Sequence, residues 1–158
     1  MDTASDIDVG AQSNLVKSLL IVAKLSRAHI DLAVRETDLK AGQDELLCVL
    51  REDKALTVSV VADLLGIRCS TVSKMVDRLA AKGLVKRCSI PNDFRKTGVH
   101  LTPAGALKQI EVREAWQRLE RYLCGEMSAE EIEGLHASLV SLDERIKTLR
   151  RKKETGEI

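Results

Sequence analysis

The residues of this 158-residue chain whose types and spacing most clearly indicate chemistry are the cations between Gly66 and Gly98. This segment has eight basic and two acidic residues, a net charge of +6, whereas the whole chain has a net charge of +1. The rest of the chain therefore sums to −5, and the positive charge is confined to one contiguous segment. Such a segment predicts electrostatic binding of a polyanion. Its basic residues are Arg68, Lys74, Arg78, Lys82, Lys86, Arg87, Arg95 and Lys96.

The first half of the basic segment has the pattern of an amphipathic helix. Apolar residues recur at i, i+3, i+4, i+7 and i+8 and predict one buried stripe, formed by Val72, Met75, Val76, Leu79 and Ala80. The opposite face carries short hydroxyls and long cations, which are the side chains that major-groove base edges and phosphates accept. These residues are Arg68, Ser70, Thr71, Ser73, Lys74 and Arg78. A solvated amphipathic helix is the alternative interpretation, and the elements on either side favour nucleic-acid binding.

The second half of the segment predicts a β-hairpin with a charged tip. Leu84–Ser89 and Val99–Leu101 have strand-type residues, and the stretch between them contains the Pro, Asn, Asp and Gly that turns require. Asp93 is close enough to orient the guanidinium of Arg95, which suits a narrow, electronegative minor groove. We expect the cations from Lys82 to Arg87 to meet phosphates, and we include Lys86, Arg87 and Lys96 among the DNA contacts.

A short helix precedes the basic helix at the spacing of a helix-turn-helix. Thr57 offers an N-cap, and Gly66 can supply the positive φ that ends the helix. The next helix begins near Arg68 to Ser70, after a turn of only a few residues. Followed by the hairpin, this order predicts a mainly α fold with a small β-hairpin wing, a winged helix-turn-helix.

Longer helices flank this module on both sides. One is predicted from Ser13 to about Arg35 and a second, as a core helix, from Gln43 to Arg51. Beyond the hairpin, Thr102 and Pro103 predict the start of a helix that runs to about Cys124 or Glu126. Ser128 and Glu131 then form a capping box for a last helix. That helix carries an apolar heptad seam, which we expect to pack against a partner helix, within the chain or in a second chain. The seam consists of Ile132, Leu135, Leu139, Leu142, Ile146 and Leu149.

In these motifs the chain resembles the MarR family of bacterial transcriptional regulators, over nearly its whole length. The resemblance is carried by Thr71–Arg87 (TVSKMVDRLAAKGLVKR), Asn92–Arg95 (NDFR) and Val99–Gly105 (VHLTPAG). It implies one MarR-type domain over residues 1–158, with a winged-helix DNA-binding module at 41–102. It also implies dimerisation helices at 13–36 and 103–152.

By this resemblance the hydroxyls and cations of the basic helix face the major groove, and Arg95, steadied by Asp93, enters the minor groove. The predicted function is a sequence-specific double-stranded DNA-binding regulator, a repressor, that acts as a homodimer on a palindromic operator. A small-molecule effector or an oxidant would release it from DNA. A non-specific architectural or protein-interaction module is the alternative. The scarcity of aromatic residues, three in the chain, favours duplex over single-stranded nucleic acid.

Other chemistries find little support in the sequence. No catalytic set, Gly-rich phosphate loop or HExxH motif occurs, so we expect neither an enzyme nor a cofactor. His29, His100 and His136 do not cluster with other ligands at metal-binding spacing, so no metal site is predicted. The charge pattern and the absence of a long apolar run predict a cytoplasmic protein with no membrane partner.

The four cysteines leave two interpretations open. Cys48, Cys69, Cys88 and Cys124 form no CxxC and are expected to be reduced. Cys69, at a helix N-terminus beside Arg68, is a candidate redox thiol because such positions favour the thiolate. The oxidant-sensing members of the family resembled usually keep their reactive cysteine near the beginning of the first helix, and this chain has none before residue 48. Ordinary structural thiols are the alternative.

Overall fold

A computed structural model describes the backbone of residues 9–35, 37–90 and 93–157 and the side chains of residues 14–35, 37–90, 97–153 and 155–157. The helices and strands agree with most of the predicted elements to within a few residues. Their order is α1 (Val9–Arg35), α2 (Gln43–Val49), β1 (Leu56–Thr57), α3 (Val58–Leu65), α4 (Cys69–Ala81), β2 (Val85–Ile90), β3 (Asp93–Leu101), α5 (Pro103–Cys124) and α6 (Ala129–Thr155). The mainly α fold with a winged helix-turn-helix is confirmed.

The three strands form one antiparallel sheet in the order β1-β3-β2. β2 and β3 pair from Val85 opposite Leu101 to Ser89 opposite Thr97, and an irregularity follows between Ser89 and Ile90. The sequence patterns do not predict β1, a two-residue strand that pairs with β3 at Val99 and Gly98. The sheet therefore has β3 at its centre.

The prediction of a turn over residues 90–98 is wrong for most of that stretch, because β3 already begins at Asp93. Gly98 is a residue of the central strand, paired with Cys88 on one side and Thr57 on the other. A β-carbon on Gly98 would lie 2.5 Å from Cδ1 of Ile90 and 2.9 Å from Cβ of Ala55. Glycine is needed there for close packing rather than for a turn.

One hydrophobic core joins the helices to the sheet, with α2 at its centre. Leu46 and Leu47 of α2, and Leu50 directly after it, are completely or almost completely buried. The predicted stripe of α4 packs into the same core, and α5 contributes Val112. The winged-helix module and the start of α5 thus form a single packed unit, which holds the outer face of α4 in a fixed orientation.

The predicted helix signals are present in the structure. The Thr57 hydroxyl accepts a hydrogen bond from the Val60 amide, and Gly66 ends α3 with φ of 66°. The Thr102 hydroxyl accepts from the Gly105 amide, and Ser128 and Glu131 form the reciprocal capping box. These contacts fix where the helices start and stop.

A partly buried ionic network connects α1, α2 and α5. Nη2 of Arg27 lies 3.0 Å from both carboxylate oxygens of Asp44, which is completely buried, and Trp116 donates its indole N–H to the same carboxylate at 3.3 Å. Arg27 also contacts Asp31 at 2.5 Å and Glu45 at 2.7 Å. Burial lowers the pKa of the Arg27 guanidinium, but the hydrogen bonds to Asp31 and Asp44 outweigh that effect and raise it. Arg27 therefore stays charged and ties α1 to the core.

The flanking helices leave large apolar side chains uncovered within the described part of the chain. Leu20 and Leu25 of α1 are 65% and 64% exposed, and Leu139 and Leu149 of α6 are 45% and 51% exposed. Within this chain the α6 seam is thus largely uncovered, although Ile132 and Leu142 are half-buried. None of the described helices is long and apolar enough to cross a membrane.

Candidate nucleic-acid interface

The outer face of α4 presents most of the hydroxyls and cations that the sequence predicts. Val72, Met75, Val76 and Leu79 are buried, so the helix can turn only its other side outward. Five of the six predicted contact residues on this face are exposed: Arg68, Ser70, Thr71, Lys74 and Arg78. The sixth, Ser73, is half-buried. The face has the composition that base edges and phosphates accept.

The start of α4 has no side-chain cap. Arg68 is the N-cap residue, and its carbonyl accepts from the amides of Thr71 at 2.9 Å and Val72 at 3.1 Å. The Arg68 side chain makes no capping hydrogen bond. The positive end of the helix dipole is therefore not neutralised by a capping carboxylate and favours an anion.

An ion pair joins the hairpin to α4. Nη2 of Arg87, on β2, lies 2.7 Å from Oδ1 of Asp77, on α4. Lys86, next to Arg87 on β2, is exposed. Of the two predicted phosphate contacts Lys86 and Arg87, Arg87 is therefore already paired with a residue of α4.

Lys82 is also engaged within the chain. Its ammonium lies 2.9 Å from the carboxylate of Asp38 and donates to the Asp38 carbonyl as well. The hydrogen bond from Lys82 lowers the pKa of the Asp38 carboxyl. The contact connects the segment after α1 to the end of α4. The expectation that Lys82 meets phosphates stays a prediction. Asp38 has a positive φ of 59°, and no local pattern indicated its role because it is 44 residues from Lys82.

The tip of the hairpin holds the remaining predicted contacts. The backbone of Asp93, Arg95 and Lys96 belongs to β3. Their side chains, and Pro91 and Asn92 entirely, lie outside the described residues. The predicted orientation of Arg95 by Asp93 therefore stays a prediction.

The cysteines differ in their surroundings. Burial raises the pKa of the Cys48 thiol to about 11, which makes its thiolate scarce at neutral pH. Cys69, in the first turn of α4, is exposed. Among the residues that the structure describes, no group of His, Cys, Asp and Glu side chains is arranged to hold a metal ion.

Comparison with known proteins decides the family. The family model described as "MarR family" matches residues 39–97, the part that contains α2, the helix-turn-helix and most of the hairpin. The multiple antibiotic resistance protein MarR of Salmonella typhimurium is 33% identical over 97 residues, which span 60% of this chain and 67% of that protein. This chain belongs to the MarR family. The family is one of transcriptional regulators, which are not enzymes.

Other members of the MarR family resemble this chain over more of its length. The regulator PecS of Dickeya dadantii is 27% identical over 140 residues, 83% of this chain and 84% of PecS. The structure of a mutant MarR from E. coli in complex with operator DNA is 26% identical, with a TM-score of 0.73, and covers 87% of this chain and 99% of that one. The flanking helices therefore belong to the shared fold as well.

Proposed function

We propose that this MarR-family protein is a repressor that binds a palindromic operator in double-stranded DNA as a homodimer. The observation that carries the proposal is the outer face of α4, where hydroxyls and cations are exposed opposite a stripe of buried apolar residues. In a helix-turn-helix this face reads base edges in the major groove. The solved complex of the E. coli relative with operator DNA supports the same placement of the winged-helix module.

The homodimer part of the proposal rests on the flanking helices. The isolated chain exposes large apolar side chains on α1, α5 and α6, and soluble monomers rarely leave such surfaces uncovered. Each aliphatic side chain that a second copy covers completely would contribute about 1.5–3 kcal/mol. The 3-4 spacing of the α6 seam suits helix-on-helix packing. Two copies joined in this way would present two α4 helices to two half-sites of one operator.

Footprinting on the DNA upstream of its own gene tests the proposal. We expect a protected, palindromic site, bound far more tightly than unrelated duplex of the same length. Ser70→Ala and Thr71→Ala should reduce this preference, whereas Ser141→Ala, an exposed hydroxyl substitution on α6, should leave it unchanged. Equal affinity for all duplexes would instead support the non-specific architectural alternative.

Repression is tested separately from binding. Expression of a reporter placed behind the footprinted promoter should be low when the wild-type protein is present. Expression should be restored when the Arg68→Ala or the Lys74→Ala variant replaces the wild-type protein. Activation of the reporter by the wild-type protein would contradict the repressor role while leaving DNA binding intact.

The effector part of the proposal rests on a cavity of about 500 Å³ beside α2 and α5. Its lining includes Leu101, Gln109 and Arg113, together with Glu52 and with Arg51, whose guanidinium pairs with Asp53 at 3.0 Å. Arg113, beside the apolar side chain of Leu101, could hold the carboxylate of a small organic acid. A bound acid that prefers one spacing of the two α4 helices would shift the affinity for DNA. Benzoate, as a probe, should raise the thermal stability of the wild-type protein more than that of Arg113→Gln.

A further inference from the structure

We propose that the end of α6 forms a second phosphate-binding site, in which Lys147, Arg150 and Arg151 contact the DNA backbone next to the recognition helix α4. The inference rests on the proposed DNA binding and extends it to a helix outside the winged-helix module. It concerns contacts that do not depend on base sequence.

The position of α6 is the first observation. Lys147, Arg150 and Arg151 share the walls of one cavity of about 320 Å³ with Asp63 and Gly66, at the end of α3. Nη1 of Arg150 lies 3.8 Å from the place that a β-carbon on Gly66 would occupy. Gly66 precedes the N-cap Arg68 by two residues, so their Cα atoms are at most about 7 Å apart. The cations of α6 therefore stand beside the uncapped N-terminus of α4.

The charge of this segment is the second observation. Residues 147–153 contain five cations and no acid. The helix dipole favours cations within the last turn, which accounts for Lys152 and Lys153. It does not account for Lys147, Arg150 and Arg151, which lie earlier in the helix. Among the described residues that line the cavity, these three cations stand against one acid, Asp63, so the lining has a net positive charge that a phosphate would balance.

The chemistry of these groups favours a backbone phosphate. Guanidinium groups match phosphate oxygens with two parallel hydrogen bonds, and an ammonium adds a point charge. Lys147 pairs with Asp143 at 2.6 Å, but this contact is exposed and weak, so a phosphate can compete for the ammonium. Both α4 and the end of α6 would then hold phosphates on the same side of the module. A free phosphate compound offers the same chemistry, and the experiment separates the two sources.

The test compares the salt dependence of DNA affinity in three proteins: wild type, Lys147→Gln/Arg151→Gln, and the control Arg118→Gln/Arg121→Gln. The control removes the same charge from exposed positions on α5, where Arg121 is about 27 Å along the helix from Pro103. Each is measured with the footprinted duplex and with a duplex of unrelated sequence. Circular dichroism verifies that all three are folded.

We expect the Lys147→Gln/Arg151→Gln slope of log affinity against log salt to be smaller by about 0.9 for each phosphate that the variant no longer neutralises. The decrease should be equal for both duplexes, which leaves the preference for the footprinted site unchanged, and the control should behave as wild type. An unchanged slope, or an equal change in the control, overturns the proposal.

A second arm tests for a free anion. Thermal unfolding is measured in inorganic phosphate and in sodium chloride at equal ionic strength. Stabilisation by phosphate that Lys147→Gln/Arg151→Gln abolishes, together with an unchanged DNA slope, would assign the site to a small phosphate compound and overturn the DNA contact. Failure of the wild-type protein to bind any duplex would overturn the proposed function along with this inference.

Discussion

Arg87 on the hairpin and Asp77 on α4 are joined by an ion pair of 2.7 Å, which links the two elements that we propose to face DNA and neutralises one cation. The Arg87 side chain is 36% exposed and the Asp77 side chain 67% exposed, so solvent screens the pair. The pair therefore contributes little to stability, and its main effect is on where positive charge is available to DNA.

Asp77→Asn should increase the affinity for duplex DNA of any sequence. The change removes one negative charge from the interface and releases Arg87 to meet a phosphate, so the salt slope should steepen by about 0.9. The free energy of unfolding should fall by less than about 1 kcal/mol. Fluorescence anisotropy at several salt concentrations measures the slope. Glu120→Gln, an exposed charge change on α5, is the control, and a weaker affinity in Asp77→Asn would contradict the prediction.

Arg27→Ala should lower the free energy of unfolding by about 3 kcal/mol, because it leaves the buried Asp44 carboxylate without its cation. Asp31→Asn, which removes only a partly exposed partner, should cost less than about 1 kcal/mol. Urea unfolding gives both values. The double change Arg27→Met/Asp44→Leu should recover only part of the stability, because it removes the buried charge but leaves the Trp116 indole N–H without its acceptor. Equal costs for Arg27→Ala and Asp31→Asn would show that the Asp44 contact is unimportant.

Arg95→Ala should weaken operator binding and lower the salt slope by about one unit, as expected for an arginine at the hairpin tip that enters the minor groove. Arg121→Ala on α5 provides the matched arginine control. Quantitative footprinting over a salt series measures the effect. An unchanged slope would exclude the contact.

Leu139→Glu should convert the protein from dimer to monomer and abolish operator binding, because it places a charge in the apolar seam of α6. Ala137→Glu, exposed on the side of the same helix away from the seam, should remain dimeric. Sedimentation velocity distinguishes the two states. A dimer that persists in Leu139→Glu would show that the seam is not the interface.

Alkylation at neutral pH should label Cys69 well before Cys48. Cys69 is exposed, whereas burial raises the pKa of Cys48 to about 11, so at pH 8 only about one Cys48 in a thousand is the thiolate. The labelling rate of Cys48 should rise about tenfold for each pH unit up to that pKa. Mass spectrometry of iodoacetamide adducts follows both sites. Titration of DNA binding with peroxide, compared with Cys69→Ser, then tests whether oxidation at Cys69 has any regulatory effect.

Local sequence signals determined most of the helices and the composition of the outer face of α4. The apolar period of α4 requires Val72 and Val76 to point into a core, which leaves Ser70 and Lys74 outside whatever the rest of the chain does. Caps at Thr57, Gly66 and Ser128 act over three or four residues and can be recognised without any tertiary contact.

Only the tertiary structure decided which cations are paired within the chain and how far the sheet extends. Arg87 and Lys82 are cations of the same basic segment as Lys74. However, the partner of Arg87, Asp77, lies 10 residues away in the chain, and the partner of Lys82, Asp38, lies 44 residues away; packing brings both pairs together. By its type alone, Gly98 looks like a turn residue. In the structure it is paired with strands on both sides, and the packing leaves no room for a side chain. Such contacts depend on the distance in space between groups far apart in the chain, which a local pattern cannot determine.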